Sequence, residues 1–239
     1  MNVFCEMQRQ GCRPNRIVIP SVLKACGHLS DVKTGKKLHA VVLRHSFEFD
    51  AFISSAIIDM YSKNGRVEKA RWVFDMMVEK DLVALNAVVS GFCQRGMAEE
   101  ALVLVEEMQV VGIKPNLITW NSLVAGFSQK GDEAMASRLF ELMCINGIEP
   151  DVVSWTSVIS GFVKNFQNSK VFCTFKKMLN HGICPTSATI SGLLPACASV
   201  TNLRCGKELY AYALVVGVEA DVYVRSALVD MYAKCGFIY

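Results

Sequence analysis

The sequence predicts an all-α solenoid, a line of stacked antiparallel helical hairpins, and three observations lead there. Three consecutive blocks, Leu82–Asn116, Leu117–Asp151 and Val152–Thr186, are each 35 residues long and resemble one another in register. Within each block the apolar residues recur at i, i+3, i+4 and i+7, the spacing of one helix face. Finally, 52% of the 239 residues are hydrophobic, only 20% are charged and the mean hydropathy is +0.30. The longest apolar stretch, Leu209–Val218, nevertheless stops at Glu219, short of the roughly 20 residues a membrane span needs. The apolar side chains must therefore be buried as many short stripes.

The elements follow in chain order. Met1–Asn15 corresponds to the last fifteen places of a unit, and Arg16–Asp50 is a 35-residue unit carrying Leu23-x-Ala25-Cys26 in its first helix. Ala51–Asp81 is a 31-residue version without the Gly-x-x-Pro ending. The three central blocks share an apolar opening pair, Ser-Gly-Phe or Ala-Gly-Phe at 90–92, 125–127 and 160–162, and the ending Gly-Ile-x-Pro at 112–115, 147–150 and 182–185. Ser187–Asp221 is a 35-residue unit with Leu194-Pro195-Ala196-Cys197, and Val222–Tyr239 matches the first eighteen places. This reads as six full units taken from a longer pattern at both ends. In Leu82–Asn116 one stripe is Leu85, Val88, Val89 and Phe92; after Gly96 a second is Ala101, Leu104, Val105 and Met108. Trp120, Leu123, Val124 and Phe127, then Trp155, Val158, Ile159 and Phe162, repeat the first. Two short helices per unit follow, with Gly96 and Gly131 in the turns. Neither helix can bury its stripe alone, and stacking the units buries all of them.

Several function classes are excluded. The net charge of +3, from 25 basic and 22 acidic residues without a block of like charge, does not announce nucleic acid by itself. The ten cysteines contain no C-x-x-C and read as buried reduced thiols, not a disulfide framework. Met1–Gln10 contains Glu6 and has the character of neither a signal peptide nor a transit peptide. None of His28, His39, His45 or His181 lies in H-x-E, so the zinc-deaminase metal set is missing. Gly35-Lys36 and Gly206-Lys207 lack the upstream glycine of a P-loop, and G-x-S-x-G does not occur. The expectation is no catalysis, no metal, no cofactor, no small-molecule substrate and no membrane insertion.

The other face of the first helix carries the functional signal. On a helical wheel with place 2 at zero degrees, places 5, 9 and 13 fall at about −60°, −20° and +20°. That face holds Val83, Asn86, Ser90 and Gln94; Ile118, Asn121, Ala125 and Gln129; Val153, Thr156, Ser160 and Lys164. The 31-residue unit offers Phe52, Ser55, Asp59 and Lys63, and the final partial unit Tyr223, Ser226, Asp230 and Lys234. The fifth place is always short (Ser55, Asn86, Asn121, Thr156, Ser191, Ser226) except at Pro20. Such residues are poor helix formers. Either a crowded surface admits only small side chains, or these groups present donors and acceptors, one per unit, to a periodic partner such as single-stranded nucleic acid.

These features resemble the pentatricopeptide repeat (PPR) family along the whole chain. The resemblance rests on the 35-residue period, Val153–Phe162 (Val-Ser-Trp-Thr-Ser-Val-Ile-Ser-Gly-Phe), Ile58–Gly65 (Ile-Asp-Met-Tyr-Ser-Lys-Asn-Gly) and Met-x₃-Gly-Ile-x-Pro at 108–115, 143–150 and 178–185. The mixed lengths resemble the plant PLS subfamily. By that resemblance 1–15 is the C-terminal part of a P-type repeat, 16–50 an L-type and 51–81 an S-type. Residues 82–116, 117–151 and 152–186 are then P-type, 187–221 L-type and 222–239 the N-terminal part of an S-type.

The resemblance implies a right-handed superhelix binding single-stranded RNA, one base per repeat, 5′ to 3′ from the N-terminal repeat. In the family the fifth and last residues read the base and the second residues of neighbouring repeats sandwich it. Carried over, Asn121 with Asp151 resembles a uracil reader, Asn86 with Asn116 a pyrimidine reader and Ser55 with Asp81 a guanine reader. Together they would select G-pyrimidine-U. Thr156 with Thr186 gives only a purine expectation; Ser191 with Asp221 has no assigned base, and Ser226 is the fifth-place base-recognition residue of the last, partial repeat. Phe52, Val83, Ile118 and Val153 would sandwich bases. Lys63, Lys164 and Lys234 resemble phosphate contacts or are ordinary solvated lysines. Phe166 replaces the turn glycine and, with Thr186, marks 152–186 as irregular. The function implied is positioning organellar transcripts, in the mitochondrion ahead of the chloroplast, for C-to-U editing or processing by another domain or a protein in trans. The competing readings are a protein-binding helical-repeat scaffold and a truncated product without stable function.

Overall fold

The computed structural model describes residues 15–45, 47 and 50–237. The reading of Met1–Asn15 as the end of a repeat lies, but for Asn15, outside the described residues. These contain thirteen helices and no strand: α1 Val18–His28, α2 Val32–Arg44, α3 Ala51–Lys63, α4 Val67–Met76, α5 Leu82–Gln94, α6 Ala98–Val110, α7 Leu117–Lys130, α8 Glu133–Ile145, α9 Val152–Lys164, α10 Asn168–Asn180, α11 Ser187–Ser199, α12 Leu203–Val216 and α13 Val222–Lys234. None of them is long and apolar enough to cross a membrane. The chain divides into two compact units, residues 1–123 and 124–239.

Each unit is built alike. In the first, α1 packs on α3 and α3 on α5, while α2, α4 and α6 close hairpins onto α1, α3 and α5. In the second, α9, α11 and α13 pack in the same succession, with α10 and α12 as hairpin partners of α9 and α11. The core consists of the apolar stripes. Leu85, Val88, Val89, Leu104 and Val105 are buried in the first unit, and Phe127, Ile159, Leu193 and Leu194 in the second. Each such side chain contributes about 1.5–3 kcal/mol relative to an exposed one.

The repeated endings are helix stops. Ile113 N–H donates to Met108 C=O at 2.9 Å and Gly112 N–H to Gln109 C=O at 3.0 Å, with Gly112 at φ 96°. This is the Schellman arrangement, in which the residue after glycine packs back on the last turn. Ile148 with Met143 and Ile183 with Met178 repeat it. Met-x₃-Gly-Ile is therefore one cap written three times.

Two glycines serve close approach. A β-carbon at Gly91 would lie 2.7 Å from Ser62 Cβ, and one at Gly161 would lie 2.8 Å from Ser128 Cβ. The Gly of Ser-Gly-Phe thus lets one first helix seat against the serine of the preceding one. The turn of 152–186 keeps the left-handed backbone of its neighbours although it lacks glycine: Phe166 has φ 56°, where Gly96 and Gly131 have 76° and 89°. α9 and α10 nonetheless have 13 residues each, as α5 and α6 do. Left-handed backbone costs a non-glycine residue about 1–2 kcal/mol, and Phe166 is 77% exposed, so little packing compensates. Phe166→Gly is expected to raise stability by about 1 kcal/mol, read as an upward shift of the denaturant midpoint.

The cysteines depart from the expectation of uniform burial. Cys26, Cys93 and Cys197 are buried, whereas Cys144, Cys173 and Cys184 are exposed and Cys205 and Cys235 half-buried; all are free thiols. Burial pushes the thiols of Cys93 and Cys197 up to about 12, which makes them inert. The exposed ones sit at second-helix and loop positions that no packing stripe governs.

Candidate nucleic-acid interface

The second place of each repeat faces solvent although it is apolar. Phe52 is 71% exposed, Val83 67%, Ile118 57% and Val153 52%. Ile17 and Tyr223, at equivalent places, are exposed as well. A helix that hid its apolar surface wherever it could would not leave one residue of this kind bare in unit after unit.

The last place of each block has a structural task. Its side chain accepts backbone N–H groups at the start of the next first helix: Asn15 from Ile17 and Val18, Asp50 from Phe52 and Ile53, Asp81 from Ala84 at 2.7 Å, Asn116 from Thr119 at 3.1 Å, Asp151 from Ser154 at 2.9 Å, and Asp221 from Tyr223 and Val224. Thr186 closes a capping box with Thr189. Short polar residues are required there for helix initiation, which is worth about 1 kcal/mol each, whatever else they do. The cap occupies one side-chain oxygen: Oδ1 in Asp81, Asn116, Asp151 and Asp221.

The fifth place meets this cap across the repeat junction. Asn86 Nδ2 donates to Asn116 Oδ1 at 3.2 Å, and Thr119 Oγ1 donates to Asn86 Oδ1 at 2.6 Å. In the second unit Thr156 Oγ1 lies 2.8 Å from Thr189 Oγ1, which is itself 3.3 Å from Thr186 Oγ1. The structure so brings together Asn86 with Asn116, and Thr156 with Thr186 through Thr189. Ser55 differs: it is buried and its hydroxyl has no hydrogen-bond partner. Ser191 turns onto Ala188 C=O of its own helix at 3.2 Å. Asn121 is half-buried on α7, and Ser226 exposed on α13. Sequence reasoning missed Thr119, Ser154 and Thr189, which are buried polar residues. Their signal was a polar residue followed three places later by a hydroxyl, directly before the apolar stripe.

In the second unit this face forms an open groove of about 540 Å³, lined among others by Gln129, Val153, Thr156, Ser160, Lys164 and Thr186. These are places 2, 5, 9, 13 and the last. Lys164 stands there without a carboxylate partner among the described residues. The other two lysines are paired within their helices, Lys63 with Asp59 at 2.7 Å and Lys234 with Asp230 at 2.8 Å. Such i,i+4 pairs contribute only about 0.3–0.5 kcal/mol.

Family profiles agree with this geometry. One described as "Pentatricopeptide repeat domain" matches residues 103–165, one described as "PPR repeat family" matches 150–199, and two described as "PPR repeat" match 52–82 and 76–109. The chain belongs to the pentatricopeptide repeat family. It is 61% identical over 238 residues to pentatricopeptide repeat-containing protein At5g59600 of Arabidopsis thaliana, covering 100% of this chain and 45% of that protein. The chain therefore spans about half of that relative's length. Two further Arabidopsis relatives are each 36% identical over 116 residues, or 48% of this chain: At1g56690, mitochondrial, covered over 16% of its length, and At4g25270, chloroplastic, over 22%.

Among solved structures, the PPR protein PPR10 from maize superposes with a TM-score of 0.74 at 21% identity, over 99% of this chain and 34% of that one. PPR10 in complex with an 18-nt psaJ RNA element gives 0.61 at 21% identity, over 98% and 40%. The fold is an all-α helical-repeat solenoid of PPR hairpins.

Proposed function

We propose that this PPR chain is a single-strand RNA-binding module in which successive repeats meet successive bases. The observation that carries the proposal is the bare apolar residue at each second place, set on the same helix face as the polar fifth and last residues. An apolar side chain is a fit surface for the flat face of a base, and the polar pair suits its hydrogen-bonding edge. The RNA in the PPR10 complex supports the class of ligand.

The caps then account for selectivity. Asn116 spends its Oδ1 on Thr119 N–H and on Asn86 Nδ2, and Asn86 spends its Oδ1 on the Thr119 hydroxyl. What remains on both amides is N–H, so this repeat offers donors, matched by the carbonyl oxygens of uracil and by O2 and N3 of cytosine. An aspartate at the last place keeps a carboxylate oxygen beyond the one used for capping. Asp81, at the last place of its repeat, then favours the N–H edge of guanine, and the Asn121 amide the edge of uracil. The two threonines Thr156 and Thr186 can both donate and accept and so discriminate less.

Phe52, Val83, Ile118 and Val153 sandwich the bases in this reading, and Lys63, Lys164 and Lys234 approach phosphates, Lys164 first because it has no ion pair to give up. The relatives whose names include mitochondrial and chloroplastic support an organellar setting, in which the module positions a transcript for editing or processing by another domain or protein. The test is Asn121→Thr on the folded chain, with binding measured to single-stranded RNAs permuted at the base facing 117–151. Preference is expected to move from uracil to guanine, and an unmoved preference overturns the base assignments.

A further inference from the structure

The hydroxyl at the third place of the following repeat holds the key base-edge side chain in a single orientation. Thr119, Ser154 and Thr189 are each 0% exposed. A buried hydroxyl costs free energy unless it is hydrogen-bonded, and what Thr119 bonds to is instructive. The backbone N–H of Thr119 can only donate, so the Asn116 atom 3.1 Å from it must be oxygen. That oxygen also faces the Asn86 amide at 3.2 Å, so the Asn86 atom there must be nitrogen. Asn86 Oδ1 is thereby turned to Thr119 Oγ1 at 2.6 Å, where the hydroxyl must donate, while Oγ1 accepts Asn116 N–H at 3.2 Å. One fixed backbone donor thus propagates through three side chains and leaves no freedom for the Asn86 amide to flip.

The chain contains its own comparison. Blocks followed by Thr119, Ser154 and Thr189 carry Asn86, Asn121 and Thr156 at the fifth place; blocks followed by Ile53, Ala84 and Val224 carry Pro20, Ser55 and Ser191. Where the third-place hydroxyl is missing, Ser55 Oγ is without a partner and Ser191 bonds back to its own helix. Where it is present in the same unit, Asn86 and Thr156 are tied across the junction.

We infer that Thr119, and Thr189 in its repeat, are positioning residues that set base selectivity without touching the base. The inference rests on the RNA-reading proposal above and adds to it a determinant in the neighbouring repeat. Without the Thr119 hydroxyl, Asn86 Oδ1 loses its 2.6 Å donor and only the longer 3.2 Å bond to Asn116 Oδ1 still orients the amide, so the donor-only edge is held less firmly.

The experiment uses the full chain and a set of single-stranded RNAs identical except at the nucleotide facing 82–116, which is U, C, A or G. Thr119→Val keeps the shape and removes the hydroxyl; Thr119→Ser keeps the hydroxyl. The expected result is that T119V lowers the pyrimidine-over-purine ratio on the order of fivefold, the worth of one hydrogen bond, while T119S retains it. The ratio at the neighbouring nucleotide facing 51–81 should not move in either. If T119V does not fold, Thr119→Ala replaces it. A uniform affinity loss at all four bases, or an unchanged ratio while Asn86→Ala abolishes it, overturns the positioning role and leaves the RNA reading standing. An unchanged ratio in Asn86→Ala overturns the RNA reading beneath it.

Discussion

Gly161→Val is expected to destabilise the second unit by about 3 kcal/mol, at the upper end of what overpacking costs. A β-carbon there would lie 2.8 Å from Ser128 Cβ and 3.2 Å from Ser128 Cα. Neither atom can move by a rotamer change, so the two first helices must separate. Separation would uncover Phe127, Val158 and Ile159, which are buried in the same unit. The gain in helix propensity from replacing glycine, under about 1 kcal/mol, does not offset this. Ser128→Gly should restore most of the loss in the double variant, because it removes the atom that is struck. Ser128→Ala alone should be neutral or stabilising, since the Ser128 hydroxyl is buried without a partner and its removal ends a desolvation cost. Denaturant unfolding of the parent, Gly161→Val, Ser128→Gly and the double variant measures the coupling directly; a G161V protein as stable as the parent would sink the close-approach account. Gly35 and Gly206 make a useful contrast. A β-carbon at Gly35 would meet Met60 Sδ at 2.5 Å, and one at Gly206 would meet Met231 Cε at 2.5 Å. These contacts are shorter, yet a thioether can swing aside, so alanine is expected to cost less there.

The parts of the fold legible in the sequence were those governed by a repeated chemical requirement. Apolar periodicity placed the stripes Leu85–Phe92 and Ala101–Met108 on buried faces because burial leaves few alternatives. The Met-x₃-Gly-Ile endings were visible as a pattern, although their cause, a cap joining Ile113 N–H to Met108 C=O, needed the structure. The site was legible as a face but not as a network. Asp81, Asn116 and Asp151 were read from resemblance as base contacts, and their capping of the next helix was overlooked although Asp and Asn before an apolar run is the ordinary helix-start signal. Thr119, Ser154 and Thr189 are visible in the sequence only as a hydroxyl three places after a polar residue, a capping signal that says nothing of the bonds Thr119 and Thr189 make across the repeat junction. Lys63 and Lys234 share their place with Lys164, but an acidic residue four places earlier, Asp59 or Asp230, separates them from it. Phe166 showed that a rule with a local energetic basis can be broken: the turn forms with phenylalanine because the packed helices on either side outweigh the backbone strain.

The second large effect concerns binding and should leave folding untouched. Val83 and Ile118, both in the first unit, are more than half exposed and occupy the second position of α5 and of α7. Replacing both by aspartate removes little buried surface, so stability should change by less than about 0.5 kcal/mol. An acidic residue in the first turn also complements the helix dipole, which pushes any change toward stabilisation. RNA binding should respond in the opposite direction. If these two residues cover the two faces of one base, their loss forfeits apolar burial of about 1.5–3 kcal/mol and places two negative charges beside a phosphate chain. The expected outcome is a fall in affinity on the order of a hundredfold, with an unchanged denaturation curve. Val83→Ala with Ile118→Ala should show a smaller fall of the same kind, because alanine forfeits the contact without adding charge. A protein-binding scaffold predicts otherwise: RNA affinity, if any, would be indifferent to both pairs, since phosphate attraction at lysines would carry it. Fluorescence anisotropy with a single-stranded RNA containing G-pyrimidine-U, run beside thermal unfolding, separates the two. Undiminished RNA affinity in the aspartate pair would mean that the bare apolar column serves a different surface from the one proposed.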